Sequence, residues 1–578
     1  MVMHNADIAA KLDEIADLLD IEGANRFRVR AYRTAARTLR DLNREVSAML
    51  ADGESLTELP GIGKDLAAKI QDIVETGTTP LLEEHRQSLS PTLTELLTIP
   101  GLGPKRVMAL HRVLGVQTLA GLREAAQQGR IRTLPGFGEK TQQHILRTLE
   151  ARTGTEARFT LAAAAPYADA LVSYLKATPG VKRIIIAGSY RRALETVGDL
   201  DILVTASPDS LVMDRFTSYD EVVEVLAHGP TRATVRLACK LQVDLRLVPD
   251  ESYGAALQYF TGSKAHSIVL RQLAQQAGLK INEYGVFKGE QRMAGDTEES
   301  VYAAVGLPWI APELRENRGE FDAARSGRLP VLVQLSDLRG DLHSHTKATD
   351  GRNTMREMAV AARAYGLGYL AITDHSRRLG MTHGLDRKRL MAQMEEIDRL
   401  NEAGVGIVLL KGIEVDILED GSLDLPDDIL GRLDLVVGAV HSHFELSREK
   451  QTERLLRAMD HPHFTILAHP SGRLIQEREP YDVDMPRIIR HAKQRGCFLE
   501  VNAHPARLDL VDTACQVAKA EGVKVSINSD GHSVLDFHHL RFGIGQARRG
   551  WIEKADVLNA LPLSKLRPLL KRTMQPRT

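Results

Sequence analysis

The chain reads as a multidomain protein of mixed α+β and α/β class. Three observations predict this. Its 578 residues exceed a single domain. A Pro-Gly-x-Gly hairpin recurs three times in the first 150 residues, each copy flanked by helical periodicity. After residue 340, apolar runs alternate with helical stretches, and the runs end in His, Asp or Glu, which predicts a parallel β/α barrel. Histidine follows the same division, with 14 of 20 lying after residue 337.

Basic and acidic residues nearly balance, 75 against 76, so no global field favours nucleic acid and any such binding rests on local patches. Cys239, Cys497 and Cys515 show no metal or disulfide spacing, which points to a reducing compartment. The N-terminal stretch carries Asp7, Asp13 and Glu14, unlike a signal peptide, and no apolar run has membrane-spanning length. A cytoplasmic protein with no membrane partner is expected.

The hairpins are Leu59-Pro60-Gly61-Ile62-Gly63-Lys64, Ile99-Pro100-Gly101-Leu102-Gly103-Pro104-Lys105 and Leu134-Pro135-Gly136-Phe137-Gly138-Glu139-Lys140. Such a turn exposes backbone N–H groups at a helix start, and Gly61, Gly63, Gly101, Gly103, Gly136 and Gly138 let a phosphate backbone approach. Nothing in the turn reads bases, so binding there is independent of sequence. Arg26, Arg30, Arg33, Arg37, Arg40 and Arg44 recur at steps of three or four and form one stripe on a helix, a phosphate-contact candidate.

The central region holds the densest signal. Ile184-Ile185-Ile186-Ala187 reads as a strand, followed by a Gly-Ser turn and a short helical piece, GSYRRALETVGDLD at 188–201, that enters the apolar run Ile202-Leu203-Val204. Side chains at i and i+2 of a strand share a face, so Asp199 and Asp201 point together and Leu200 turns to the core. Paired carboxylates suit Mg²⁺ or Mn²⁺, and the turn offers N–H groups to phosphate, a combination fit for nucleotidyl transfer. Leu241 to Val248 alternates like a neighbouring strand, from which Asp244 supplies a third carboxylate.

In the C-terminal region, Asp341-Leu342-His343-Ser344-His345 puts two imidazoles on one strand face, with Asp350 in the following loop. Further runs lead to Asp374-His375, to Glu414, to His441 and His443, to His469, and to Asp530 and His532. Mixed His/Asp/Glu ligation fits Zn²⁺, Mn²⁺ or Fe²⁺, and the number of donors exceeds one tetrahedral ion and implies a cluster.

The motifs GSYRR (188–192), GDLD (198–201), VDLRLV (243–248), YFTGS (259–263) and INEY (281–284), after the three hairpins, resemble family X DNA polymerases of the beta type over roughly residues 1–317. The hairpins themselves resemble helix-hairpin-helix motifs. The resemblance implies a nucleotidyltransferase-type palm with a thumb, with Asp199, Asp201 and Asp244 holding two catalytic metals. It implies triphosphate contacts from Ser189, Arg192 and Gly198, places Tyr259 and Phe260 at the nucleotide sugar, and makes Gly262 a nucleotide-binding residue. His266 takes the place of a minor-groove contact to the base, commonly an asparagine, and Arg271 that of a template contact. Two departures stand out. Gln242 replaces a basic residue, and Asp65 stands where the lyase pocket carries a lysine, although Lys69 matches the Schiff-base position and is a lyase candidate.

Residues 340–570 resemble a polymerase-and-histidinol-phosphatase (PHP) domain, whose nine ligands map onto His343, His345, Asp350, His375, Glu414, His441, His469, Asp530 and His532. His383, His443, Glu500, Asn502 and Arg473 lie nearby, Arg473 as a phosphate-contact candidate. The order of parts resembles bacterial and archaeal PolX. The expected division is an 8-kDa-like DNA-binding domain (1–85), hairpin-bearing fingers (86–153), palm (154–249), thumb (250–317), linker (318–339) and PHP domain (340–570). The resemblance implies a gap-filling DNA repair polymerase, as in base excision repair, acting as a monomer on gapped or primer-template DNA and dNTPs. It adds a 3′–5′ exonuclease with AP-endonuclease or 3′-phosphatase action at the same site. Mg²⁺ or Mn²⁺ would serve the palm and a Zn²⁺, Mn²⁺ or Fe²⁺ cluster the PHP site. The rival readings are a small-molecule nucleotidyltransferase, which leaves the hairpins and YFTGS without a role, and a DNA-end-binding module with structural metals.

Overall fold

The computed structural model describes residues 5–21, 24–40, 42, 45–88, 96, 99, 102, 104–152, 158–378 and 382–574. Gly101, Gly103 and Arg44 lie outside the described residues. The N-terminal helices Asn5–Ile21, Arg26–Arg40, Val46–Ala51, Lys64–Thr76 and Pro80–Ser88 share one core built on Ile8, Leu12, Leu39 and Ile70. Tyr32, Ala35, Ala36 and Leu39 form the buried face of Arg26–Arg40, opposite its arginines, as 3.6-residue periodicity requires. A second helical core joins Pro104–Leu114, Leu119–Gln127 and Glu139–Arg152 through Val107, Leu122, Ile131 and Ile145.

The palm is a five-stranded sheet in the spatial order Val181–Ile186, Asp199–Ala206, Gln242–Leu247, Arg232–Leu237, Val222–His228. The second and third strands are parallel and the rest antiparallel. The alternation read from the sequence holds: Leu200, Ile202 and Val204 are buried with Val243 and Leu245. Leu200 is fully buried between the two aspartates, so Leu200→Ala should cost about 2–5 kcal/mol and loosen both of them. Beyond the palm, helices Tyr253–Thr261 and Lys264–Gln276 and a small antiparallel sheet (280–294) form the thumb-like unit.

From Gly340 the chain forms parallel strands arranged as three and five. Val408–Lys411 runs on into Glu414–Asp416, which joins the two sheets on one side. The parallel bridge between Ser344 and Gly531 closes them on the other. The result is the barrel expected from the sequence, with one strand, Phe498–Asn502, that the motif reading did not single out.

The segment expected as a linker is instead a packed strap. Phe321 and Ala324 enter the thumb core, Val333 enters the barrel core, and the Val333 N–H donates to the Ile552 carbonyl at 3.0 Å. Pro, Gly and Arg content suits a linker, but the apolar residues between them pack it onto both cores. Palm and barrel share packing too, since Ile475, Leu508 and Phe542 join the palm core.

Candidate active sites

Register assembles the palm site. Asp201 stands directly opposite Asp244 on the parallel neighbour, and Asp199 opposite Gln242, so the three carboxylates converge at one end of two adjacent strands. Asp201 is pushed up to about 7 by burial and then by the charges of Asp199 and Asp244. Three carboxylates crowded at one strand end are a donor set suited to a divalent cation. Asp244 is buried and held by Thr234 Oγ1 at 2.6 Å, Gln242 Nε2 at 3.1 Å and Arg232 at 3.2 Å. Gln242 therefore serves as a hydrogen-bond donor where the family pattern has a base. Gly188 sits at φ +61°, and a Cβ there would lie 2.4 Å from Asp201 Oδ2, so only glycine allows the turn to lie against the carboxylates.

Ser189 and Arg192 flank this turn on the helix Gly188–Arg191 and at its C-terminal end. Arg192 donates to Glu316 Oε1 at 3.0 Å and to the Thr261 carbonyl, beside Gly262. Arg191 makes a bidentate pair with Glu298 at 2.8 and 2.7 Å, and Arg315 donates to the same carboxylate at 2.6 Å. Burial would raise Glu298, but the two arginines outweigh it and hold it at about 2. Tyr259 is half-exposed and meets Phe260 edge-on at 5.1 Å, while Arg246 lies over the Phe260 ring at 4.2 Å. Arg271 is exposed and donates to the Ser267 carbonyl.

Three expectations need correction or restatement. His266 does not face a nucleotide: it is fully buried between Glu320 at 2.7 Å and Tyr302 at 2.8 Å and stacks on Phe321. Its ring is bonded on both nitrogens inside the thumb core, so its place in the motif carries packing. Arg473 is buried and committed to the carbonyls of Arg507 and Leu508 and to Glu195 of the palm, not to a phosphate. Lys69 is ion-paired with Asp65, the residue that departs from the lyase pattern.

The barrel site gathers all nine sequence-derived donors at the C-terminal ends of the strands. They form three overlapping groups whose ligand atoms lie within 4.8 Å of one another: His345, Asp350, His375 and His532; His343, His345 and Asp530; and His375, Glu414 and His441. His469 joins through Glu414 at 3.0 Å. Buried His343 Nε2, His345 Nδ1, Glu414 Oε2 and His469 Nδ1 find no hydrogen-bond partner, a pattern expected where cations are the missing partners. Burial, then the charges of His532 and His375, lowers His345 to about 4, which favours the neutral ligating imidazole. Burial opposes ionisation of Glu414, but the charges of His375, His441 and His343 outweigh it and hold it well below the usual range.

Outer carboxylates fix the rings. His343 Nδ1 donates to Glu500 at 2.7 Å and His441 Nδ1 to Asp416 at 2.5 Å, leaving each Nε2 for the cluster. Asn502 bridges Glu500 and Asp530 at 3.1 and 3.0 Å. Asp374 accepts from Thr346, Thr349 and Gln393, which fixes the loop carrying Asp350. His383 and His443 both adopt positive φ, and His443 is part-exposed outside the donor groups. The motif reading missed Asp416 and Arg507, whose Nε lies 3.6 Å from Asp530. Asp416 was findable, two residues beyond Glu414 on the same strand face.

The two sites are mechanically joined. Arg549, buried in the barrel helix Leu540–Arg549, donates to the Arg192 carbonyl at 3.0 Å, to Glu316 at 2.9 Å and to Asp512 at 2.7 Å. It thus grips both the short helix after Gly188, at the Arg192 carbonyl, and the carboxylate that holds Arg192.

Family models match four segments: a helix-hairpin-helix domain (3–79), a SAM-like helix-hairpin-helix tandem (93–151), a DNA polymerase beta thumb (256–316) and a PHP domain (341–504). The chain is 37% identical over 574 residues to the DNA polymerase/3′-5′ exonuclease PolX of Bacillus subtilis, covering 99% of this chain and 100% of that one. It is 25% identical over 347 residues to DNA polymerase lambda of Rattus norvegicus, covering 54% and 56%. It is 29% identical over 243 residues to a protein of Thermoanaerobacter sp. (strain X514) described as a "Probable phosphatase", covering 40% and 94%.

Proposed function

The chain belongs to the PolX family of DNA polymerase/3′-5′ exonucleases, and on that premise we propose that it fills gaps in damaged DNA with one site and trims 3′ ends with the other. It is a family X polymerase with a PHP-domain exonuclease. The observation that carries the reading is the presence in one chain of a three-carboxylate site on adjacent strands and a nine-donor site at barrel strand ends. A small-molecule nucleotidyltransferase would need neither the hairpins nor the second site.

Asp199, Asp201 and Asp244 hold Mg²⁺ or Mn²⁺. Cations held there would supply Lewis acidity toward the primer 3′-hydroxyl and offset triphosphate charge. Ser189, Gly198 and Arg192 bind the triphosphate, with Arg192 preset by Glu316. Tyr259, Phe260 and Gly262 pack against the sugar and discriminate against a 2′-hydroxyl. Gly61, Gly63, Gly101, Gly103, Gly136, Gly138 and Arg271 contact the DNA backbone. In the barrel, the nine donors would hold a Zn²⁺, Mn²⁺ or Fe²⁺ cluster, which would supply Lewis acidity toward a terminal phosphodiester, and AP-endonuclease or 3′-phosphatase action would use the same donors. The functional division follows 1–85, 86–153, 154–249, 250–317 and 340–570.

The test is a 5′-labelled gapped duplex with dNTPs, run in Mg²⁺ and in Mn²⁺. Products longer than the primer report the palm and shorter ones the barrel. A chain that binds the duplex but gives neither product would support the end-binding reading instead.

A further inference from the structure

The arginine stripe of helix Arg26–Arg40 is divided by its neighbours. Arg33 pairs with Asp17 and lies 3.5 Å from Asp13, and Arg40 pairs with Asp13, so both charges are offset within the N-terminal unit. Arg37, one turn from each, is exposed and makes no ion pair among the described residues. The next residue, Thr38, is fully buried because the helix docks there against the barrel. Arg352 of the barrel donates to Thr38 Oγ1, while its backbone N–H donates to the carbonyl of the donor His532 at 2.7 Å. Thr38 in turn donates to the Pro60 carbonyl of the first hairpin at 2.8 Å. One run of bonds therefore links hairpin, arginine helix and a metal-donor loop. On the palm side, Tyr167 donates to Asp7 at 2.7 Å and fixes the same unit from its other edge.

We propose that the nuclease site is composite, with Arg37 holding a backbone phosphate of the single DNA strand whose 3′ end enters the barrel. A guanidinium binds phosphate in a two-bond fork and needs no base identity, which suits an enzyme that degrades any sequence. Arg507 beside Asp530 and Arg352 beside His532 continue the basic rim toward the donors. The N-terminal unit thereby serves removal of nucleotides and not only their addition. This rests on reading the barrel as a nuclease.

The experiment compares wild type with Arg37→Glu and Arg37→Lys in Mn²⁺ on three substrates: a labelled 20-nucleotide single strand, bis(p-nitrophenyl) phosphate, and a gapped duplex with dNTPs. For Arg37→Glu, KM for the strand should rise about 10-fold with kcat within twofold, and the salt dependence should flatten by roughly 0.7 in log–log slope. Arg37→Lys should recover most of the affinity. Hydrolysis of the small diester should not change, and primer extension should fall by a smaller factor than degradation. An unchanged strand KM would overturn the proposal, as would extension falling by the same factor as degradation, since Arg37 would then be a general DNA contact. Slower hydrolysis of the small diester would also overturn it, by making the helix a prop for the metal donors. Wild type that cleaves the small diester but no strand would overturn the nuclease reading itself, an outcome distinct from the others.

Discussion

The palm and the barrel both gather acidic side chains at the ends of parallel strands, but they do so by different means. The palm uses three carboxylates from two neighbouring strands, with Asp199 and Asp201 part-exposed. The barrel uses nine donors from many strand ends, with His343 and His345 fully buried and the Nδ1 of His343 held by Glu500. The first arrangement fits a site where cations arrive with a nucleotide and leave with pyrophosphate. The second fits resident cations held by preset ligands. On the proposed reading, one site would be loaded by its substrate and the other before substrate arrives, so that opposed chemistries could share a chain.

The largest expected effect tests that independence. Joint Asp199→Ala and Asp201→Ala should lower extension at least about 10³-fold and leave degradation intact, and His343→Ala should do the reverse. Gel assays on one primer read both, and loss of both activities in each folded variant would break the comparison.

Residence of the cations comes next. Chelation followed by desalting should stop both activities, but calorimetry should show destabilisation confined to the barrel. It should amount to roughly 3–4 kcal/mol for an ion held at 100–1,000 times its Kd. An equal loss of palm stability would erase the distinction between resident and substrate-borne metal.

Palm and thumb are locked by Glu298 between Arg191 and Arg315, with the carboxyl depressed to about 2. A depressed carboxyl stabilises above its unfolded value, near 4.5, and that contribution fades as pH falls toward 2. Glu298→Gln should therefore cost about 3 kcal/mol at pH 6, and the gap in Tm from wild type should close between pH 4.5 and 2. A pH-independent gap would assign the cost to packing.

The smallest effect sharpens the link between the regions. Arg549→Ala should raise KM for dNTP about 10-fold, or about 1.4 kcal/mol, while degradation stays within twofold. Arg549 acts through Arg192 and Glu316, so kcat should move less than KM; a change in kcat alone would exclude this positioning role.

The palm pair was legible because the i, i+2 geometry of a strand is local: Leu200 between two aspartates dictates which face each takes. The barrel donors were legible for a similar reason, since most follow an apolar run, while Asp350 lies in a loop. His266 misled because a motif position does not state which way its helix turns; Glu320, 54 residues later, and Phe321 decided that it faces inward. The strap at 318–339 misled because loop-forming residues surround the few apolar ones that pack.

By itself the sequence determined the candidate donors, most of the strands that carry them and the first and third hairpins, since these depend on backbone periods spanning two to four residues. Tertiary structure alone decided the pairing of Asp201 with Asp244, the orienting of His343 by Glu500, the hold of Arg549 on Arg192, and the docking of Thr38 against Arg352. Those contacts join residues 43, 157, 357 and 314 positions apart, where no local period reaches and only packing of whole elements fixes who meets whom.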